Sequence, residues 1–317
     1  MGGLRNWKKI RALVTGASGF IGEYLVRRLR DLGAEVYPAT APGGAGGPSY
    51  RGSSFDSSML VFDVRDRESV KAAVDEVDPN VVFHLAAVGV TGPVADPMQV
   101  LMVNAGGVVN LLEALRGRDV RRVVLTGTSH EYGAQEAEEG LDPFSAYAAS
   151  KVAAWAYGRM YWRVHSLPIV TVRPFQVYGP GQPHGTLIPA AVSAALRGSD
   201  FAMSPGQQER DFVHVNDVVT GMTAVAEAPG VEGKSLDLGS GIGHPIRQVV
   251  DQIWRLTGAK GEVQPGALLY RPGEPMRLVA DADRTTALTG WRALTPLEEG
   301  LARTIRSVRR EGIFHDA

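Results

Sequence analysis

Short apolar runs alternate with helix-period segments through the first 175 residues, and that alternation leaves few folds open. "RALVTG", "EVYPAT", "MLVFDV", "NVVFHLAA", "RRVVLTGT" and "PIVTVRP" read as strands. Between them "GFIGEYLVRRLRDLG", "DRESVKAAVDEV", "MQVLMVNAGGVVNLLEALRG" and "AYAASKVAAWAYGRMYWRVHS" read as helices. Strands that are apolar on both faces and separated by helices require a parallel sheet covered on both sides. The pattern predicts a doubly wound α/β unit over residues 1–175. Residues 176–317 begin with a loop rich in Pro and Gly and read as a smaller, mixed lobe for substrate, with a stretch at about 210–240 returning to the first unit.

Composition removes several function classes. The net charge is -1 on 317 residues, so no global field steers the chain to nucleic acid or to an anionic membrane. There is no cysteine, which excludes disulfides, thiol catalysis and thiolate metal sites. His184 and His244 stand alone in loops without metal-ligand spacing. The start of the chain turns polar after too few apolar residues for a signal peptide, and no run reaches the length of a spanning helix. The expectation is a cytoplasmic protein.

"TGASGFIG" sets Gly16, Gly19 and Gly22 between the first strand and the first helix. Glycines there permit a tight turn and close backbone approach, and the helix N-terminus offers unpaired N–H groups to a pyrophosphate. The expectation is a Rossmann-like dinucleotide site. Sites for NAD usually place Asp or Glu at the end of the second strand, on the ribose hydroxyls. Here that strand ends in Ala39 and Thr40, with Arg51 beyond a glycine-rich loop. The expectation favours NADP(H), with NAD(H) as the alternative.

"YAASK" places Tyr147 and Lys151 four apart on one helix face. An ammonium beside a phenol favours the phenolate, so the spacing predicts a lowered Tyr147 pKa and a usable acid or base near neutrality. Trp155, Tyr157 and Trp162 on the same helix read as packing, and "RTIRSVRR" as a solvated helix face.

Together with "FDVRD", "FHLAA", "VNAGGVVNLLEA", "TGTSHEYG", "VRPFQVYGPGQ", "RDFVHVNDV" and "RPGE", these motifs run in one order from residue 15 to 274. In that order the chain resembles the extended short-chain dehydrogenase/reductases, the nucleotide-sugar epimerases, dehydratases and reductases. The resemblance implies that Thr128 hydrogen-bonds the reacting hydroxyl or carbonyl, that Tyr147 moves the proton, and that Lys151 holds the nicotinamide ribose and tunes Tyr147. It implies cofactor contacts at Gly16, Ser18, Gly19, Phe20, Ile21 and Gly22 in the loop. It adds Thr40, then Asp63 beside the adenine with Val64, then Leu85, Ala86 and Ala87, and finally Asn104 and Pro174.

For the substrate, a nucleoside-diphosphate sugar, the resemblance implies Gln176 near the diphosphate and Arg210 and Arg271 as its guanidinium clamps. Thr91, Ser129 and His130 are added as contacts near the sugar. Two departures stand out. The sugar 4,6-dehydratases carry acid residues after the catalytic Thr, where this chain has Ser129 and His130. Glu131 occupies a usually apolar place, and its role, toward solvent or toward substrate, stays open. The main expectation is NADPH-dependent reduction of a 4-keto(-6-deoxy) sugar nucleotide, and the alternative is an NAD-dependent 4-epimerase. A dehydratase or a non-catalytic cofactor-binding protein is less expected. The apolar surface of "MQVLMVNAGGVVNLLEAL" and "AYAASKVAAWAYGRMYW" predicts a homodimer through these helices.

Overall fold

The computed structural model describes residues 6–43, 59–90, 96–134 and 140–312. Seven strands form the central sheet: β1 (Arg11–Thr15), β2 (Glu35–Thr40), β3 (Leu60–Val61), β4 (Val81–His84), β5 (Arg122–Thr126), β6 (Ile169–Pro174) and β10 (Ser235–Leu238). Their order is β10-β6-β5-β4-β1-β2-β3, and every neighbouring pair is parallel. The order reverses between β1 and β4, the crevice where such sheets bind ligands.

Side chains along each strand divide between two layers. Val14, Phe83, Val124 and Val172 pack with Leu25, Val26 and Leu29 of α1 (Phe20–Asp31) and with Val218 and Met222 of α7 (Val215–Glu227). Leu13, Val82, Val123 and Leu125 face the other way. They meet α2 (Arg67–Val77), α4 (Gly107–Leu115) and α5 (Ala146–His165) through Val74, Leu112 and Tyr161. Burial on both faces explains why these strands read as continuous apolar runs.

A smaller sheet combines β7 (Gln176–Tyr178), β9 (Glu209–His214), β11 (Gly243–Pro245) and β13 (Arg277–Leu278), with β11 antiparallel to β9. Beside it lie the pair β8 (Phe201–Met203) and β12 (Val263–Pro265) and the helices α6 (Leu187–Arg197), α8 (Ile246–Thr257) and α10 (Leu297–Glu311). These elements share a core around Tyr178, Val192, Phe212, Ile253 and Leu301. Helix α9 (Ala282–Thr289) seats Thr285 on β10, where its hydroxyl donates to the Asp237 carbonyl at 2.8 Å.

Two expectations change. "MLVFDV" narrows to a two-residue strand at the sheet edge. The run from Pro97 is one 19-residue helical span to Leu115, long and apolar enough by composition to cross a membrane, contrary to the sequence reading. It comprises α3 (Pro97–Leu101), a π-helical stretch over Met102–Gly106 and α4, and α4 packs on the sheet through Leu111, Leu112 and Leu115.

Candidate active site

The glycine loop follows β1 at the crevice. Gly16 has φ +68°, and a Cβ there would lie 2.6 Å from the Ala86 amide nitrogen, so only glycine lets β1 and the end of β4 come together. At Gly22 a Cβ would strike the Gly16 carbonyl and sit 2.8 Å from Ala17 Cα, so the first turn of α1 can rest directly on the loop. Gly19 caps α1 without a side-chain hydrogen bond, and Phe20 and Ile21 follow in its first turn. This leaves the helix N-terminus available to an anion. The residues fit a dinucleotide pyrophosphate.

The rest of the expected cofactor wall lines up along the strand ends. Ser18 Oγ and Thr40 Oγ1 are hydrogen-bonded at 2.7 Å, an uncharged hydroxyl pair at the end of β2. Arg51 lies outside the described residues. Asp63 is gripped by the Arg65 guanidinium at 2.6–3.1 Å, which holds its carboxyl below the usual carboxylate range. Val64 beside it is buried. Leu85 and Ala86 donate their amides to Thr15, and Ala87 follows half-buried. Pro174 closes β6, opposite Leu238.

Asn104 takes a different part from the one expected. It is 1% exposed, and its amide group is consumed by the Val88 backbone (2.9 and 3.0 Å) and by Ser150 Oγ (2.9 Å). It braces the loop after β4 against α5, and no amide hydrogen is left for a cofactor. Its place in a π-helical stretch is one that often marks functional sites.

Thr128, Tyr147 and Lys151 meet above the end of β5. Ser145 caps α5, which puts Tyr147 in its first turn and Lys151 one turn on. The Thr128 side chain stands beside the Tyr147 phenol and favours its ionised form. Lys151 Nζ donates to the Thr126 carbonyl at 2.8 Å and lies 5.8 Å from the centroid of the Tyr147 ring. The expected lowering of Tyr147 is overturned. Burial pushes the phenol up, the Glu131 carboxylate adds to that, and the Thr128 side chain opposes it. Lys151 itself is 4% exposed, and burial brings its ammonium down to about 8, against the pull of Glu131. Desolvation outweighs the ion-on-phenol effect that the spacing suggests.

Glu131 points neither to solvent nor to substrate. It is fully buried, accepts the Thr128 amide at 2.9 Å and pairs with Arg173 Nε at 2.8 Å. With Thr128 as cap of the single turn Ser129–Glu131, this is a reciprocal capping box.

On the substrate side the structure gathers His130, Arg210 and Arg271 into one electrostatic environment. Burial first, then the positive charges of Arg210 and Arg271, bring the His130 imidazole down to about 4. Its ring lies 5.3 Å from that of Phe144. Arg210 is buried and reaches Glu274 Oε1 at 3.1 Å, while the Arg271 amide donates to Glu274 Oε2 at 3.3 Å. Ser129 is buried beneath this turn. Gln176 starts β7 in register with Phe212 of β9, two residues beyond Arg210. Thr91 lies outside the described residues. Glu274, which pairs with the Arg210 guanidinium and accepts the Arg271 backbone amide, and Phe144 escape the sequence reading. The first stands in the "RPGE" motif, while the second carries no signal. Trp155 packs 5.7 Å from the Arg173 guanidinium, as expected of packing, whereas Tyr157 is exposed.

Comparisons with known proteins identify the family. The family model "NAD dependent epimerase/dehydratase family" matches residues 12–239. A UDP-glucose 4-epimerase of Mycolicibacterium smegmatis is 34% identical over 95% of this chain and 99% of its own. A UDP-N-acetyl-alpha-D-glucosaminuronate decarboxylase of Bacillus cytotoxicus is 28% identical over 95% of this chain and 98% of its own. The structure of a Thermus thermophilus UDP-glucose 4-epimerase, a complex with NAD, superposes with a TM-score of 0.81 at 31% identity, covering 94% of this chain and 98% of the other. The chain is an enzyme of the nucleotide-sugar epimerase/dehydratase type and belongs to the NAD dependent epimerase/dehydratase family.

Proposed function

We propose that the protein is an NAD-dependent 4-epimerase of a UDP-hexose. The observation that carries this reading is end-to-end similarity to a UDP-glucose 4-epimerase at 34% identity, in a chain whose Thr128, Tyr147 and Lys151 stand together. When bound, NAD supplies a hydride acceptor and donor at the sugar C4. The chain supplies the proton chemistry. As the phenolate, the form that the Lys151 ammonium, the Thr128 side chain and the positive charge of a bound oxidised nicotinamide would favour against burial, Tyr147 takes the proton of the C4 hydroxyl and later returns it, with Thr128 as hydrogen-bond partner of the same oxygen. Lys151 provides the positive charge next to the phenol. Arg210 and Arg271 meet the diphosphate, with Glu274 yielding Arg210 to it.

The coenzyme moves from the NADP(H) favoured by sequence to NAD(H). The lean to NADP rests on the missing carboxylate after β2, and the Ser18–Thr40 hydroxyl pair serves ribose hydroxyls without one. A 4-keto sugar reductase uses the same three catalytic residues, but it draws no support from the relatives. The protein is further proposed to be a homodimer. Met98, Leu101 and Met102 of the 97–115 span and Tyr157, Met160 and Val164 of α5 are exposed, Val164 at 64%. An apolar surface of this kind marks an interface.

The test is incubation of the purified protein with UDP-glucose and, separately, UDP-glucuronate, with the sugar products resolved. C4 inversion supports the reading. Release of carbon dioxide from the uronate indicates a decarboxylase instead.

A further inference from the structure

Beneath the reacting residues lies a charged cluster that the proton transfer does not use. Glu131 is 0% exposed and Arg173 5%. Their ion pair is reinforced by Tyr132, whose hydroxyl accepts from Arg173 at 3.2 Å and donates to Asp237 at 2.7 Å. Access is built for it. A Cβ on Gly127 would collide with Glu131 Oε1, so the glycine that follows β5 leaves room for the carboxylate. A buried ion pair is a poor way to gain stability, because desolvating two charges offsets their attraction. An apolar pair at 131 and 173 would fill the place without that cost. What the carboxylate adds is a fixed acceptor for the Thr128 amide at 2.9 Å and a negative charge under Tyr147 and Lys151.

We infer that Glu131, locked by Arg173, is a positioning residue that fixes the Thr128 backbone beside Tyr147 and balances the charge of Lys151. This inference rests on the proposed proton-transfer roles, although its structural core does not depend on which sugar reacts. The groups facing Glu131 are Arg173 from β6, Tyr132 in its own turn, and Tyr147 and Lys151 from α5. Behind them stand Asp237 of β10 and His84 of β4, the latter within reach of the Lys151 charge.

The test is Glu131→Gln, which keeps a side-chain acceptor and removes the charge. The chain has six lysines, so side-chain nuclear magnetic resonance of labelled lysine follows Lys151 directly, with Lys151→Arg giving the assignment. Glu131 favours the ammonium, so its loss lowers the Lys151 midpoint from about 8 by about one pH unit. In kinetics we expect kcat to fall by about tenfold or more, KM for the UDP-sugar to stay within about twofold, and the pH profile to move toward acid. A folded variant with an unshifted Lys151 midpoint overturns the inference. If Glu131→Gln does not fold, the double variant Glu131→Val with Arg173→Met removes both charges and is judged by the same midpoint. Failure of wild type to turn over any UDP-sugar, with Lys151 still shifting on loss of Glu131, would refute the epimerase reading and not the placement of Glu131.

Discussion

Lys151 Nζ donates to the carbonyl of Thr126 at 2.8 Å, so the second turn of α5 is pinned to the last residue of β5. The bond fixes the height of Tyr147 over the strand end. Two functions then depend on one side chain, the placement of the phenol and the positive charge beside it. Lys151→Ala is expected to weaken NAD binding and to lower kcat by about 100-fold, with Lys151→Arg only a partial rescue because a fork does not replace a point donor. Coenzyme titration and steady-state rates on the same preparations check this.

Tyr147→Phe keeps the ring and removes the proton. Turnover is expected to fall by about 100-fold or more while NAD affinity changes little. Retention of a tenth of wild-type kcat would remove Tyr147 from its role.

The pH dependence of stability draws on three histidines that burial lowers, His84, His130 and, by direction, His214. Burial holds His84 down to about 3 and His130 to about 4, against 6.5 unfolded. Between those values the unfolded chain binds more protons, so stability is complete above pH 6.5 and is lost as pH falls toward 4. Asp237, raised to about 6, acts with the opposite sign: its contribution is present below 3.8 and lost as pH rises through 6. The histidine slope is isolated by His84→Asn, which keeps a polar partner for Thr15. Its melting temperature should fall less steeply than that of wild type between pH 7 and pH 5.

Association is tested on the outward face of α5. Met160→Glu with Val164→Glu should convert a dimer to a monomer in light scattering at micromolar concentration. A wild type that is already monomeric would refute the proposed interface.

Coenzyme choice is best altered at Thr40, because Ala39 is 1% exposed within the sheet core and a carboxylate there would be buried. Thr40→Asp is expected to raise the preference for NADH over NADPH by about tenfold or more, through capture of the ribose hydroxyls and repulsion of a 2′-phosphate. Paired titrations of both coenzymes measure it.

The sheet, the glycine loop and the Tyr147–Lys151 pair are legible in the sequence because each follows from local rules. Strands buried on both faces are continuous apolar runs, a turn such as that at Gly16 needs glycine, and four residues make one helical turn. What escapes depends on partners far along the chain. Glu131 looks like a turn residue because Arg173, which buries it, is 42 residues away. The sign of the Tyr147 shift is missed because spacing reports the ammonium and not the burial that outweighs it. Asn104 carries the family pattern, but only the fold reveals that Val88 and Ser150 consume its amide.

The most direct measurement of the central claim is product analysis with UDP-glucose and the purified protein, supplied with NAD in amounts far below substrate. Epimerisation returns its hydride within each turnover, so the account predicts many turnovers to UDP-galactose per coenzyme and no net change in reduced nicotinamide. Stoichiometric consumption of NADPH with a 4-keto sugar nucleotide, and no interconversion of UDP-glucose or UDP-glucuronate with its C4 epimer, would contradict it.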